Sequence, residues 1–87
     1  MRLARVTGTL TATVRDSSLT AQKFMIADIE SAKGKVLESS VVTADACGAG
    51  VGDLCVMVEG SAARVVGSIS GKPVDACLVA IVDKIEE

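Results

Sequence analysis

Even and odd positions separate cleanly from Arg5 to Arg15. Val6, Gly8, Leu10, Ala12 and Val14 are apolar or small, while Arg5, Thr7, Thr9, Thr11, Thr13 and Arg15 are polar. A period of two predicts a half-buried strand that ends in the turn formers Asp16-Ser17-Ser18. The Thr row forms its polar face and reads as solvated surface, with one rail of an intersubunit ladder as the alternative. Gly8 in mid-strand predicts a bulge or the sharp coiling that a small barrel needs.

Beyond that turn the alternation gives way to runs that are apolar on both faces. Lys23 to Ile29 (KFMIADI) predicts a central strand. Ser31 to Lys35 predicts a turn, with Gly34 in the left-handed conformation. Val36 to Ala44 predicts a further strand, centred on Val41 and Val42. Cys47 to Asp53 is a glycine-dense loop, and Leu54 to Val58 (LCVMV) is another two-faced strand. Gly60 to Val65 predicts a short helical turn with Ser61 as its N-cap. Ser68 to Lys72 reads as a mobile loop. Pro73-Val74-Asp75 leads into the last strand, Ala76 to Val82 (ACLVAIV), and Lys84 to Glu87 is a charged tail.

These elements predict a mainly all-β fold: a small five-stranded OB-like β-barrel with one short helix. Closure is the economical arrangement because it removes exposed strand edges. No repeat or linker interrupts residues 1–87, which read as one domain. The last strand is unusually apolar on both faces. Either a neighbouring subunit covers part of it, or it runs through the middle of the barrel wall; the pattern leaves both open.

Composition adds a reason to expect self-association. A chain of 87 residues buries only about 60–65 % of its unfolded surface, so a lone copy has modest stability. Nothing supplies a staple. Cys47, Cys55 and Cys77 form no CxxC pair and histidine is absent, which excludes the usual Cys/His zinc sites. Oligomerisation is the remaining common route to more buried area. The apolar content is carried by Val, Ala, Ile and Leu, with a single aromatic, Phe24. The net charge of −2 gives no long-range attraction to nucleic acid or to anionic membranes. Met1 to Arg5 lacks the apolar core of a signal peptide, and free thiols without an export signal point to the cytosol.

Candidate chemistry is sparse. Gly48-Ala49-Gly50-Val51-Gly52 invites a phosphate-loop reading, but it lacks the lysine and Ser/Thr of a P-loop and the spacing of a dinucleotide fold. A tight inter-strand loop is the simpler reading. With no histidine, no Ser/His or Cys/His set and no metal cluster, neither an enzyme nor a cofactor is expected. The cysteines read as small buried hydrophobes, and Cys47 is the one to examine for reactivity. Asp75 and Asp83 read as turn aspartates that bond to nearby backbone. Arg64 is either solvated, paired with Asp45, Asp53 or Asp75, or an intersubunit contact.

Several strings, taken together and in order, resemble the EutN/CcmL family, the pentameric vertex proteins of carboxysomes and metabolic microcompartments. They are Met1-Arg2-Leu3-Ala4-Arg5-Val6-Thr7-Gly8, Lys23 with its apolar run, Asp45 to Asp53, Gly60-Ser61-Ala62-Ala63-Arg64, and Pro73-Val74-Asp75-Ala76 through Ala80-Ile81-Val82-Asp83. The chain departs from the family's usual residues at Thr20, Phe24-Met25 and Leu54-Cys55. The resemblance implies a homo-pentamer shaped as a truncated pyramid. Such a ring caps the five-fold corners of a shell of hexameric proteins in the bacterial cytoplasm. It makes Gly48, Ala49, Gly50, Val51, Gly52 and Asp53 a candidate assembly or pore loop, close-packed near the ring axis or a neighbouring tile. Arg64, Asp75 and Asp83 become candidate intersubunit or structural contacts. The alternative is an OB-like oligomeric binding module for nucleic acid or a small ligand. One aromatic and a negative charge suit single-strand binding poorly.

Overall fold

The computed structural model describes residues 1–11, 16–19, 23–67 and 73–87, without the side chains of Ser18 and Arg64. Five strands form a closed barrel: β1 (Arg2–Leu10), β2 (Phe24–Glu30), β3 (Val36–Asp45), β4 (Leu54–Glu59) and β5 (Ala76–Ile81). Around the barrel they run β1-β2-β3-β5-β4, with β4 returning to β1. Four ladders are antiparallel; β3 and β5 are parallel and meet at Ala44–Cys77 and Asp45–Leu78. Two short 3-10 turns, Ser17–Leu19 and Gly60–Val65, complete the described elements.

The alternation seen in the sequence becomes the wall of this barrel. Ala4 and Val6 of β1 point inward while Thr7 and Thr9 are exposed. The β1–β2 register slips between Val6 and Gly8, where the mid-strand glycine calls for a bulge. The Thr7 hydroxyl donates to the Ile26 carbonyl beside the slip, at 3.3 Å. Ala12, Thr13, Val14 and Arg15, expected to continue this strand, lie outside the described residues, as does the expected loop at 68–72.

The interior holds Ala4, Val6, Met25, Ala27, Ile29, Cys55, Met57 and Leu78, all buried. Across β1 and β2, Ala4 pairs with Ile29 and Ala27 with Val6, so small residues oppose larger ones, as close packing in a narrow barrel requires. A second cluster lies apart from this core. Ala44, Val58, Ala63, Val74 and Cys77 are buried there, with Leu19, Phe24, Val66 and Val79 packed against them. These two layers resolve the two-faced last strand. Ala76 and Leu78 enter the barrel core, and Cys77 enters the second cluster. Residues 76–78 are therefore buried by the chain itself, while Ala80 and Ile81 are exposed.

One local expectation is overturned. The segment Gly60–Val65 is a 3-10 turn, the extended Glu59 occupies its N-cap, and no side chain caps it. Ser61 lies inside the turn instead. The cause is the β4–β5 ladder, which runs one bond further: the Gly60 N–H donates to the Asp75 carbonyl at 2.7 Å. Gly60 is still tied to β5 where a helix start would need to be free.

Candidate assembly loop

The glycine-dense loop is organised by carboxylates at its two ends. Asp45, the last residue of β3, is buried. Its Oδ1 accepts the Cys47 N–H at 3.1 Å and the Cys47 thiol at 3.4 Å, and its Oδ2 accepts the Ala49 N–H at 3.0 Å. The Lys23 ammonium lies 3.4 Å from Oδ2 and donates to the Ala49 carbonyl at 3.2 Å. At the far end the Asp53 Oδ2 accepts the Gly50 N–H at 2.8 Å.

The loop is also fastened to β1. The Gly52 N–H donates to the Val6 carbonyl at 2.8 Å and the Val6 N–H to the Asp53 carbonyl at 2.9 Å. The Arg5 guanidinium donates to the Gly52 carbonyl at 3.0 Å. Val51 is left exposed at the tip. The amides that a phosphate would need at Cys47, Ala49 and Gly50 are thus engaged by the chain's own carboxylates. This is a built, pre-shaped surface rather than an anion cradle.

Glycine is required at two of its positions. Gly48 and Gly52 have φ of 75° and 97°, a region that side chains rarely adopt. Gly50 does not share it, and a Cβ there would meet only the Asp53 Oδ2, at an ordinary 3.8 Å. Gly52→Ala is therefore expected to lower the unfolding free energy by about 1–2 kcal/mol, and Gly50→Ala to leave it within about 0.5 kcal/mol. Urea denaturation of the two variants beside the parent checks this; equal losses would show that backbone conformation is not what separates them.

Electrostatics removes the one nucleophile candidate. Burial, then the hydrogen bond and negative charge of Asp45, push the Cys47 thiol up to about 12. Burial likewise raises Cys55 and Cys77. All three remain protonated near neutrality, and a thiol is a poor nucleophile. Burial works to raise Asp45 as well. The amides of Cys47 and Ala49, the thiol and Lys23 outweigh it and hold this carboxyl below its usual range.

The other sequence candidates lie elsewhere. Asp75 precedes β5 and Asp83 follows it; both are exposed, and neither carboxylate has a hydrogen bond or ion pair among the described residues. The expected side-chain turn bonds are absent there, and Asp75 contributes its backbone carbonyl instead. The Arg64 side chain lies outside the described residues. Of its suggested partners, Asp45 is engaged by Lys23 and the loop amides, and Asp53 by Gly50.

Two features escaped the sequence reading. The Arg2 guanidinium grips Glu59 with two bonds, Nε to Oε1 at 2.6 Å and Nη2 to Oε2 at 2.8 Å, and reaches Glu38 at 3.1 Å. Its hydrogen bond holds Glu59 below the usual carboxylate range. This fork ties β3 to β4 where their strands lie apart. Ser40 has a φ of 59°, and its N–H donates to the Asp28 carboxylate at 3.0 Å, beside the irregular register of β2 and β3. No spacing signal links residues so far apart in the chain.

Comparison with known proteins gives a uniform answer. The family model described as ethanolamine utilisation protein EutN/carboxysome matches residues 1–83. The carboxysome shell vertex protein CcmL of Thermosynechococcus vestitus is 39 % identical over 85 residues, covering 98 % of this chain and 86 % of that protein. The bacterial microcompartment shell vertex protein EutN of Salmonella typhimurium is 36 % identical over 85 residues, with 98 % and 86 % covered. Among solved structures, the GrpN pentameric microcompartment shell protein from Rhodospirillum rubrum superposes with a TM-score of 0.89 at 33 % identity, covering 100 % of this chain and 99 % of that one.

Proposed function

The chain belongs to the EutN/CcmL family, and on that premise we propose that residues 1–87 act as one vertex-protein domain of a bacterial microcompartment shell. Five copies form a ring that closes a five-fold corner of the shell in the bacterial cytoplasm, where hexameric shell proteins are its neighbours. It acts by geometry and not by chemistry. A head-to-tail interface closes into a ring when its rotation is a whole fraction of a turn. The angle at which one barrel meets the next is thus the property under selection.

The likeness to a pentameric shell protein across both chains, at a TM-score of 0.89, carries this reading. The loop at 48–53 supports it, because its amides are engaged internally and its tip offers Val51 outward. A Cβ at Gly50 would meet only the Asp53 Oδ2 within its own barrel, so Gly50→Val is expected to fold by circular dichroism and to lose the ring only if the loop packs against a neighbour. The alternative of a nucleic-acid module finds less support: Phe24, the one aromatic, packs against the second cluster instead of offering a stacking platform.

The test is solution mass. One chain is 8.8 kDa, so five times 8.8 kDa, about 44 kDa, is the expected mass by size exclusion with light scattering. A folded species that stays at 8.8 kDa across dilution overturns the proposal.

A further inference from the structure

Among the described residues the barrel leaves one strand edge open. β3 pairs with β2 along most of its length, but its other edge meets β5 only at Ala44 and Asp45. From Val36 to Thr43 no described residue forms a ladder with that edge. The same stretch is greasy: Val36 is 48 % exposed, Leu37 60 % and Val42 50 %. An uncovered apolar strand edge is a template for another chain, and soluble proteins cover such edges or blunt them. Here the Arg2 fork anchors Glu38 at the middle of the stretch, which holds the edge in place instead of folding it away.

We propose that the outer edge of β3 from Val36 to Val42 is a docking surface for a second copy of this chain. The inference rests on the ring proposed above and assigns a part of its interface. Charge favours this occupant. The turn that leads into the edge carries Lys33 and Lys35, neither of them ion-paired among the described residues. A chain of net charge −2 offers them exposed acids at Asp75, Asp83 and Glu87 on the next copy. The turn is stiff: Ser31 and Lys35 exchange bonds, the Ser31 N–H to the Lys35 carbonyl at 2.8 Å and the Lys35 N–H to the Ser31 hydroxyl at 3.1 Å. The edge thus reaches a neighbour already ordered, which limits the entropy lost on contact. In a closed ring this edge faces a different patch of the next subunit, so the contact uses up the edge and stops further strand addition.

Leu37→Lys and Val42→Lys, made separately, place a charge on the edge at positions that contribute little to the barrel itself. Val65→Lys is the control, since Val65 is 81 % exposed on the second 3-10 turn. Each is compared with the parent by light scattering and by far-ultraviolet circular dichroism. Both edge variants are expected to fall about fivefold in mass with an unchanged spectrum, while the control keeps the parent's mass. If one edge variant misfolds, the other decides. A parent ring that survives the edge substitutions, or that breaks equally in the control, overturns the edge assignment and leaves the pentamer standing. A parent that is itself monomeric overturns both.

Discussion

Asp45→Ala is expected to lower the unfolding free energy by about 2–4 kcal/mol and the melting temperature by about 10–25 °C. The substitution strips the acceptor from the amides of Cys47 and Ala49, the second of them buried, and from the Cys47 thiol. A buried donor left without a partner costs about 1–3 kcal/mol, and bonds to a carboxylate are the stronger kind. The Lys23 ammonium loses its counter-charge as well. Asp45→Asn keeps an acceptor and is expected to lose about half as much. The effect has a pH signature. The folded state holds Asp45 below its ordinary value of 3.8, so its contribution is complete above about pH 4–5 and fades as pH falls through the folded value. Glu59, lowered by Arg2, adds a weaker exposed contribution of the same sign. Denaturation at pH 7 and at pH 3, at one fixed protein concentration, reads this: the gap between parent and Asp45→Ala narrows in acid. A gap that stays constant would show that the carboxylate charge is not what holds the loop.

Leu78→Ala is expected to cost more, about 3–5 kcal/mol. Leu78 is fully buried in the barrel core. Along the backbone it pairs with Asp45 on one side and Met57 on the other, and its carbonyl accepts the Ala46 N–H at 3.0 Å. Truncation opens a cavity where the barrel is joined. Small domains hold roughly 5–15 kcal/mol in total, a chain of this size near the lower end, so most of the margin disappears. Leu78→Met, which conserves volume, is expected to lose less than about 1.5 kcal/mol. Thermal unfolding followed by circular dichroism separates the two; similar losses for Ala and Met would mean that side-chain volume at this position is not limiting.

What the sequence made legible was whatever repeats at short range. The Val6/Thr7 alternation located β1, and the two-faced runs located β2, β4 and β5 as central strands. The same runs said nothing of what covers each face. Cys77 and Ala63 share one buried cluster with Phe24 and Val66 packed against it, residues far apart in the chain that no short-range pattern links. The parallel contact of β3 with β5 was equally hidden, because periodicity fixes a strand's faces and not its partners. In the loop, glycine density marked the segment but not which of its glycines need their backbone freedom. The left-handed positions are Gly48 and Gly52 and not Gly50, on a path shaped by bonds to the buried Asp45. Nothing distinguishes that aspartate in sequence from an ordinary turn residue. The Arg2 fork was out of reach for the same reason: Glu59 lies 57 residues away.

The β3–β5 junction has a consequence for how the molecule breathes. Its two rungs make it the shortest of the five ladders, and one rung is Ala44 with Cys77. Local openings follow the weakest cooperative unit, so fluctuations that part the cylinder begin along this line. Cys77 lies on that line and is buried in the second cluster, so opening there is expected to bring its sulfur within reach of water and small reagents. The chain therefore carries a built-in stopwatch, in which the labelling rate of that sulfur counts how often the barrel comes unlatched.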